Sequence, residues 1–268
     1  MSEEEKLTEA VNRSGFPLQI GLIYRVNQTV ASHGWNVLCT EHAWKNELDN
    51  DSGFIDFVLE DQYKTSVLVV ECKRVLEASW IFLIDSSSIK EQSHGKLWVT
   101  SAHGITFEHF DWFNIPLNPV SPESGFCVVP GQDSKSRPML ERLAGECVSA
   151  TEALAKEERM LLFGETDSIR MYGSVIVTTA SLKVCEFNPE NISLINGKVT
   201  DPYFTDVPFI RFRKQLSVRS PKINFLSKPQ LNAVAKAKEH TVFIVNSQAL
   251  ESFLQEWEVS DSGLRNLR

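Results

Sequence analysis

The chain has 268 residues, and 42% of them are hydrophobic, which suffices for a packed core and argues against a disordered protein. The net charge of −8 excludes DNA binding driven by bulk positive charge, but not a local basic surface. The five cysteines form no CxxC pair, and neither a signal peptide nor an apolar run of membrane-spanning length occurs, so we expect a cytoplasmic protein that does not enter a membrane.

The N-terminal part of the chain predicts helices followed by strands. A short acidic helix is expected over residues 2–13, and a longer one from Pro17 to His33, because apolar residues recur along one face of each turn there. Residues 35–44 predict a first strand. Two apolar runs within residues 53–74 flank the polar break EDQYKT, which is typical of a β-hairpin.

Residues 75–130 contain several extended segments and predict a strand-rich insertion. The segments cover residues 80–85, 96–102, 105–113 and 125–130. Their aromatic side chains predict a small packed layer, and a base-stacking surface is the alternative.

The second half of the chain opens with its clearest helix, which begins at Pro138 and is expected to end near residues 163–164. A long buried strand, or a pair of strands, follows over residues 172–187. The remaining elements are, in order, a hairpin at Asn196-Gly197, a strand over 207–216, a helix starting near Ser227, a strand over 240–246 and a final helix capped by Ser247.

The hairpin over residues 53–74 carries the residues with the strongest chemical signal. If its turn centres near Tyr63, Asp56 lies opposite Glu71, with Cβ atoms about 4.5–5.5 Å apart. Two carboxylates at that separation repel each other unless a cation or a proton lies between them. Lys73 shares the strand face of Glu71. An exposed hairpin with an ordinary Glu–Lys pair is the alternative, but the apolar residues on the same face favour a site at the rim of a core.

An Asp on one strand followed by Glu-x-Lys at the end of the next resembles the PD-(D/E)xK nuclease superfamily. The resemblance is carried by Asp56, Glu71 and Lys73 and by the order of the elements around them. It implies an α/β protein with a restriction-endonuclease-like core, in which an α-β-β-β-α-β mixed sheet is flanked by helices. Residues 1–74 and 131–187 would form the two parts of that core, 75–130 the insertion, and 188–268 a C-terminal α/β extension packed on the core.

The resemblance also implies a cofactor. Asp56, Glu71 and the carbonyl group of Cys72 would hold Mg²⁺, for which Mn²⁺ can substitute, and Lys73 would orient the attacking water or stabilise charge on the phosphate. Many members place a Glu on the leading helix, where this chain has Gln19. Glu41 on the first strand is a substitute for it, and a second metal is left open.

Nucleic-acid contacts are expected from two further regions. Gln132 and Arg137 precede the long helix. Some branches of the superfamily use a Gln near this point to hold a phosphate or the attacking water, and a polar loop with a helix cap is the alternative. Arg137 is predicted to contact a phosphate. Residues 209–228 contain six basic residues and no acid. Of these, Arg211, Arg213 and Lys214 are predicted to contact phosphates. A solvated charged strand, or a patch that binds an acidic partner, is the alternative.

These observations predict a Mg²⁺-dependent nuclease that hydrolyses DNA, and by resemblance only, one that acts in restriction or defence against foreign DNA. RNA cleavage and nicking are further hypotheses for an enzymatic function. The alternative from another class is a non-catalytic nucleic-acid-binding or assembly module that keeps the nuclease fold. The acidic charge and Gln19 favour dependence on a protein partner or a homo-oligomer for loading or activation.

Overall fold

The computed structural model describes residues 2–46, 51–76, 78–87, 91–103, 106–132, 138–159, 168–216 and 231–260. The helices are α1 (Glu3–Arg13), α2 (Phe16–Gln28), α3 (Val30–His33), α4 (Met139–Glu158), α5 (Leu231–Ala237) and α6 (Leu250–Glu256). The first strands are β1 (Trp35–Lys45), β2 (Ser52–Asp61), β3 (Ser66–Lys73), β4 (Ser79–Asp85), β5 (Gln92–His103), β6 (Thr106–Ser121) and β7 (Glu123–Ser124). The others are β8 (Cys127–Val128), β9 (Ser168–Thr178), β10 (Ser181–Phe187), β11 (Tyr203–Asp206), β12 (Phe209–Gln215), β13 (Glu239–Asn246) and β14 (Glu258–Val259), and single 3₁₀ turns cover Pro189–Asn191 and Ser247–Ala249.

Ten strands form one mixed sheet. Its main path runs β1-β2-β3-β9-β13-β12-β7. In addition, β5 pairs with the first half of β9, β6 pairs with β5, and β14 pairs with β6. The β1–β2–β3 meander is antiparallel, whereas β3 and β13 pair with β9 in parallel. The apolar runs of β3, β9 and β13 are buried almost throughout, as expected for strands covered on both faces.

A second sheet of four strands lies beside the first, in the order β11-β10-β4-β8. Its central strands β4 and β10 are parallel to each other. Trp80, Phe82 and Leu182 from these strands are buried in one apolar cluster with Leu143 of α4 and Phe212 of β12. The two sheets and α4 therefore share a core.

Helices cover both faces of the large sheet. On one face, α4 packs through Cys147, Ala150 and Leu154 against the strands of the β1–β2–β3 meander. On the other, Leu22 of α2 and Phe253 of α6 belong to the largest apolar cluster. The chain is thus an α/β protein with a mixed sheet flanked by helices, as predicted. Among the described residues, no helix is long and apolar enough to cross a membrane.

The order of the elements follows the sequence-based expectation, with several differences. Residues 172–187 belong to a pair of strands, β9 and β10, which is one of the two predicted arrangements. Residues 125–130, by contrast, contain only the short β8. The side chain of Asn246, not that of Ser247, caps the 3₁₀ turn that precedes α6. Helix α5 occupies the place of the helix predicted before β13, and the predicted start of that helix near Ser227 lies outside the described residues.

The expected insertion and extension are both integral to the large sheet. Strand β5, from residues 75–130, pairs with the first half of β9, and β13, from residues 188–268, pairs with its second half. Strand β12 lies next to β13. Residues from all four predicted segments of the chain therefore build one hydrogen-bonded sheet, because strands distant in sequence pair at its centre.

Candidate active site at the end of the β2–β3 hairpin

Strands β2 and β3 pair in the predicted register. The ladder runs from Glu60 opposite Val67 to Phe57 opposite Val70. One further step along both strands brings Asp56 level with Glu71. The alternation of side chains in β3 places Glu71 and Lys73 on the face that packs against α4, together with the buried Val69.

The side chain of Asp56 interacts with the backbone of β3 just beyond this ladder. Its Oδ2 atom accepts a hydrogen bond of 2.6 Å from the N–H group of Cys72. The N–H and C=O groups of one strand residue point to the same side, so the carbonyl group of Cys72 is also directed towards β2. The main-chain oxygen of the next residue, Lys73, instead accepts from Thr179 beyond β9. A carboxylate and a carbonyl group thus approach each other where the hairpin strands separate.

Gln19 of α2 and Glu41 of β1 lie next to Asp56. Gln19 is buried, and its amide donates to a carboxylate oxygen of Glu41 and, over 3.0 Å, to the main-chain carbonyl group of Asp56. Glu41 has a left-handed backbone with φ of 50°, which is uncommon for a residue other than glycine. The β1–β2 pairing places Thr40 opposite Phe57 and His42 opposite Ile55, so Glu41 is level with Asp56.

Burial raises the pKa values of both hairpin carboxylates, and the charges of neighbouring acids add to the effect. Burial is the main cause for Asp56, opposed by the hydrogen bond from Cys72 and reinforced by the charge of Glu41. For Glu71 the pKa rises to about 8, first through burial and then through the charges of Asp56 and Glu146. Glu71 makes no hydrogen bond or ion pair with another described residue. Its carboxyl group is therefore protonated at neutral pH unless a cation compensates it.

Lys73 is the basic residue whose charge acts on Glu71. Its ammonium charge lowers the pKa of Glu71, but less than burial and Asp56 raise it. Lys73 makes no ion pair with another residue in the described part of the chain. The next residue, Arg74, lines a separate groove beside α1. The ammonium group of Lys73 is thus placed to interact with a group that binds beside Glu71, whereas Arg74 lies at the groove beside α1.

A cavity of about 640 Å³ opens against Glu71 on the side of α4. Trp44, Arg142 and Glu146 are among its lining residues, and Arg142 forms an ion pair with Glu146. We did not predict these three residues from the sequence. Arg142 and Glu146 lie one turn apart on the polar side of α4, which is a signal for a shared helical face but does not reveal which strand that face meets.

The oxygen atoms at the site are of the kind that Mg²⁺ takes as ligands. Among the described residues there is no group of three or more His, Cys, Asp or Glu side chains arranged to hold a metal ion. Mg²⁺, however, usually takes only one or two protein carboxylates and keeps several waters. Asp56, Glu71 and the carbonyl group of Cys72 are hard oxygen donors of this kind, and a divalent cation would offset the negative charges that help to raise the pKa of Glu71.

Among the described residues, the predicted phosphate contacts Arg211, Arg213 and Lys214 do not form a basic surface. Arg211 is fully buried, and its guanidinium donates to the carbonyl groups of His94 and Leu117 and to Ser121. Its prediction as a nucleic-acid contact is therefore wrong, because all three nitrogen groups bind inside the core. Arg213 and Lys214 are half-buried and pair with acids of this chain, Arg213 with Glu239 and Lys214 with Glu141.

Gln132 is predicted as an accessory residue of the site and Arg137 as a phosphate contact. Gln132 follows β8 in a turn, where its N–H group donates to the carbonyl group of Val129, and it is not among the residues that line the cavity beside Glu71. Arg137 lies outside the described residues. No protein-family model, no curated protein and no solved structure matches this chain.

Proposed function

We propose that the protein is a Mg²⁺-dependent nuclease that hydrolyses DNA phosphodiester bonds, built on a restriction-endonuclease-like core. The observation that carries the proposal is that the charges of both Asp56 and Lys73 act on Glu71, just beyond the β2–β3 ladder. The order α2-β1-β2-β3-α4-β9, with β9 parallel to β3, is the second support. A role in restriction or defence against foreign DNA rests on the resemblance of the motif alone.

Asp56, Glu71 and the carbonyl group of Cys72 would hold the metal ion. A bound Mg²⁺ ion lowers the pKa of a coordinated water and offsets negative charge on the scissile phosphate. The hydrogen bond from Cys72 fixes the carboxylate of Asp56, and the amide of Gln19 fixes Glu41 and the backbone of Asp56. The donor groups are therefore held by strands and by a buried helical residue rather than by a flexible loop.

Lys73 would supply the positive charge that acts on the phosphate. It lies on the same strand face as Glu71 and is free of ion pairs with other described residues. In this position its ammonium group would orient the attacking water or stabilise charge that develops on the phosphate oxygens. Because Arg213, Lys214 and the cavity residue Arg142 all pair with acids of the chain, affinity for DNA would depend strongly on Lys73.

One observation favours the second candidate, a non-catalytic nucleic-acid-binding or assembly module. Gln19 stands where a third carboxylate would complete the site, and its amide is already bonded to Glu41 and to Asp56. An assembly module would retain this hydrogen-bonded arrangement without turnover. The two candidates differ in one measurable property, which is metal-dependent loss of intact DNA.

The test is incubation of the purified protein with supercoiled and linear DNA in Mg²⁺, Mn²⁺ or EDTA. We expect cleavage with either metal and none in EDTA. Asp56→Asn and Lys73→Met should abolish cleavage, whereas Asp206→Asn, which changes an exposed aspartate on β11, should not. Binding of DNA without cleavage would favour the module. Cleavage by Asp56→Asn at the wild-type rate would refute the site.

A further inference from the structure

Helix α1 is amphipathic, but its apolar side faces away from the protein. The helix has no buried residue. Its polar residues Thr8, Glu9 and Asn12 line a groove opposite Arg74. At 3.6 residues per turn, Leu7 and Val11 share a stripe on the other side of the helix. Both are exposed, Leu7 by 63% and Val11 by 59%.

The next helix repeats this feature. Leu22 and Val26 of α2 are buried against the large sheet, as expected for its inner face. Phe16, Ile20 and Tyr24 follow one another at spacings of four residues on its outer face, and each is more than 60% exposed. Helix α2 therefore has two apolar sides, and only one of them is covered by the described part of this chain.

These five side chains are enough for an interface. Together they expose on the order of 600 Å² of surface per chain, so an interface that uses the same surface twice would bury on the order of 1,200 Å², at the lower end of specific protein interfaces. A helix of 11 residues that buries nothing is also marginal in isolation, and such an interface would stabilise it.

The charges on α1 favour a second copy in an antiparallel arrangement. The first turn carries Glu3, Glu4 and Glu5, and the last turn carries Arg13. Antiparallel packing of two copies would bring the acidic first turn of each next to the last turn of the other, with opposed helix dipoles. Parallel packing would instead place three acids beside three acids. The acidic first turn would also be repelled by an anionic membrane.

We propose that the outer stripe of α1 and α2, formed by Leu7, Val11, Phe16, Ile20 and Tyr24, is the interface of a homodimer with antiparallel α1 helices. A two-fold axis makes this surface self-complementary, so that each stripe covers its copy. The proposal is independent of the nuclease activity, because it rests on the exposure of the stripe and not on the hairpin site.

Sedimentation velocity from low to high micromolar concentration tests the proposal. We expect the wild-type chain to dimerise and the double variant Val11→Glu/Ile20→Glu to raise the dimer dissociation constant by at least roughly tenfold, because it places charges within the apolar stripe. Both positions are exposed, so the variant should keep its circular dichroism spectrum. The matched control is Ile195→Glu at the tip of the Asn196-Gly197 turn, where Ile195 is 98% exposed, and it should dimerise like wild type.

A charge-reversal variant tests the orientation. Glu3→Lys/Glu4→Lys should weaken the antiparallel dimer several-fold, since lysines would then face the Arg13 end of the other copy. A tighter dimer would show parallel packing and would overturn the proposed arrangement. A wild-type chain that stays monomeric throughout would overturn the dimer itself. So would a monomer that co-sediments with phosphatidylcholine–phosphatidylserine vesicles and loses this binding in Val11→Glu/Ile20→Glu, because the stripe would then contact lipid.

Discussion

The carboxylate of Asp56 accepts a hydrogen bond of 2.6 Å from the N–H group of Cys72, one step beyond the last residue pair of the β2–β3 ladder. The contact links β2 to β3 beyond the end of their backbone ladder, and it does so through a carboxylate of the candidate site. The same carboxylate is half-buried, and burial raises its pKa. Asp56 therefore contributes a hydrogen-bond acceptor to the sheet and a negative charge to the candidate metal site.

Substitution at Asp56 should separate these two contributions. Asp56→Asn keeps an oxygen that can accept from Cys72 but removes the charge, so we expect loss of metal-dependent cleavage with a change of less than about 1 kcal/mol in the free energy of unfolding. Asp56→Ala removes both and leaves the Cys72 N–H group without its acceptor, which should cost about 1–3 kcal/mol. Urea unfolding and plasmid cleavage measure the two effects. Equal destabilisation by both variants would mean that the hydrogen bond contributes nothing.

The raised pKa of Glu71 predicts that the metal-free protein loses stability as the pH rises. The folded state holds a proton on Glu71 up to about pH 8, whereas the carboxyl group of the unfolded chain titrates near 4.5. Between these values the folded state binds more protons than the unfolded state, so the free energy of unfolding falls with increasing pH. Above pH 8 Glu71 is ionised in both states, and its burial then lowers the free energy of unfolding by the full amount, on the order of a few kcal/mol.

Glu71→Gln is the variant that isolates this effect. In EDTA it should match the wild type at pH 4 and be the more stable protein at pH 8.5, because the glutamine stays neutral without a proton. Urea unfolding across this range measures the difference, and Glu190→Gln, at an exposed glutamate, serves as the control with no such trend. A stability gap that is constant with pH would show that Glu71 titrates normally.

Metal binding should release a proton at neutral pH for the same reason. A carboxyl group with a pKa of about 8 is mostly protonated at pH 7 and must lose its proton to bind Mg²⁺. Isothermal titration of Mg²⁺ at pH 7 in two buffers of different ionisation enthalpy should give different observed enthalpies, corresponding to nearly one proton per ion. Glu71→Gln should lose this buffer dependence together with affinity. Identical enthalpies for the wild type in both buffers would contradict the prediction.

The register of the hairpin could be predicted from the sequence because it depends on local rules. Side chains alternate along β2 and β3, and the position of the turn fixes which residues face each other, so Asp56 and Glu71 were found without a structure. The approach of Glu146 to Glu71 could not be predicted, since it depends on how α4 packs across the sheet. The same limit applies to the central position of β13, which pairs with β9 far earlier in the chain.

Arg211 shows where the sequence pattern misleads. Alternation along β12 places Arg211 and Arg213 on one face, which suggested a basic surface. Strand β12 lies inside the sheet between β13 and β7, and Arg211 is covered there. The groups that bind its guanidinium come from segments about ninety residues or more earlier in the chain, such as His94 and Ser121. No local sequence pattern around Arg211 predicts these acceptor groups, so its burial could be found only from the complete fold.

Arg211 should therefore affect stability rather than DNA binding. Arg211→Met would leave the carbonyl groups of His94 and Leu117 and the hydroxyl of Ser121 without their donor, and we expect a loss of about 3 kcal/mol in the free energy of unfolding. Arg213→Met, which removes a half-buried ion pair with Glu239, should cost about 1 kcal/mol or less. Urea unfolding measures both, and the slope of DNA affinity against salt should be the same for folded Arg211→Met and wild type. A shallower salt slope with unchanged stability would contradict the prediction and make Arg211 a candidate DNA contact again, because replacing a core arginine should lower the stability and leave the salt slope unchanged.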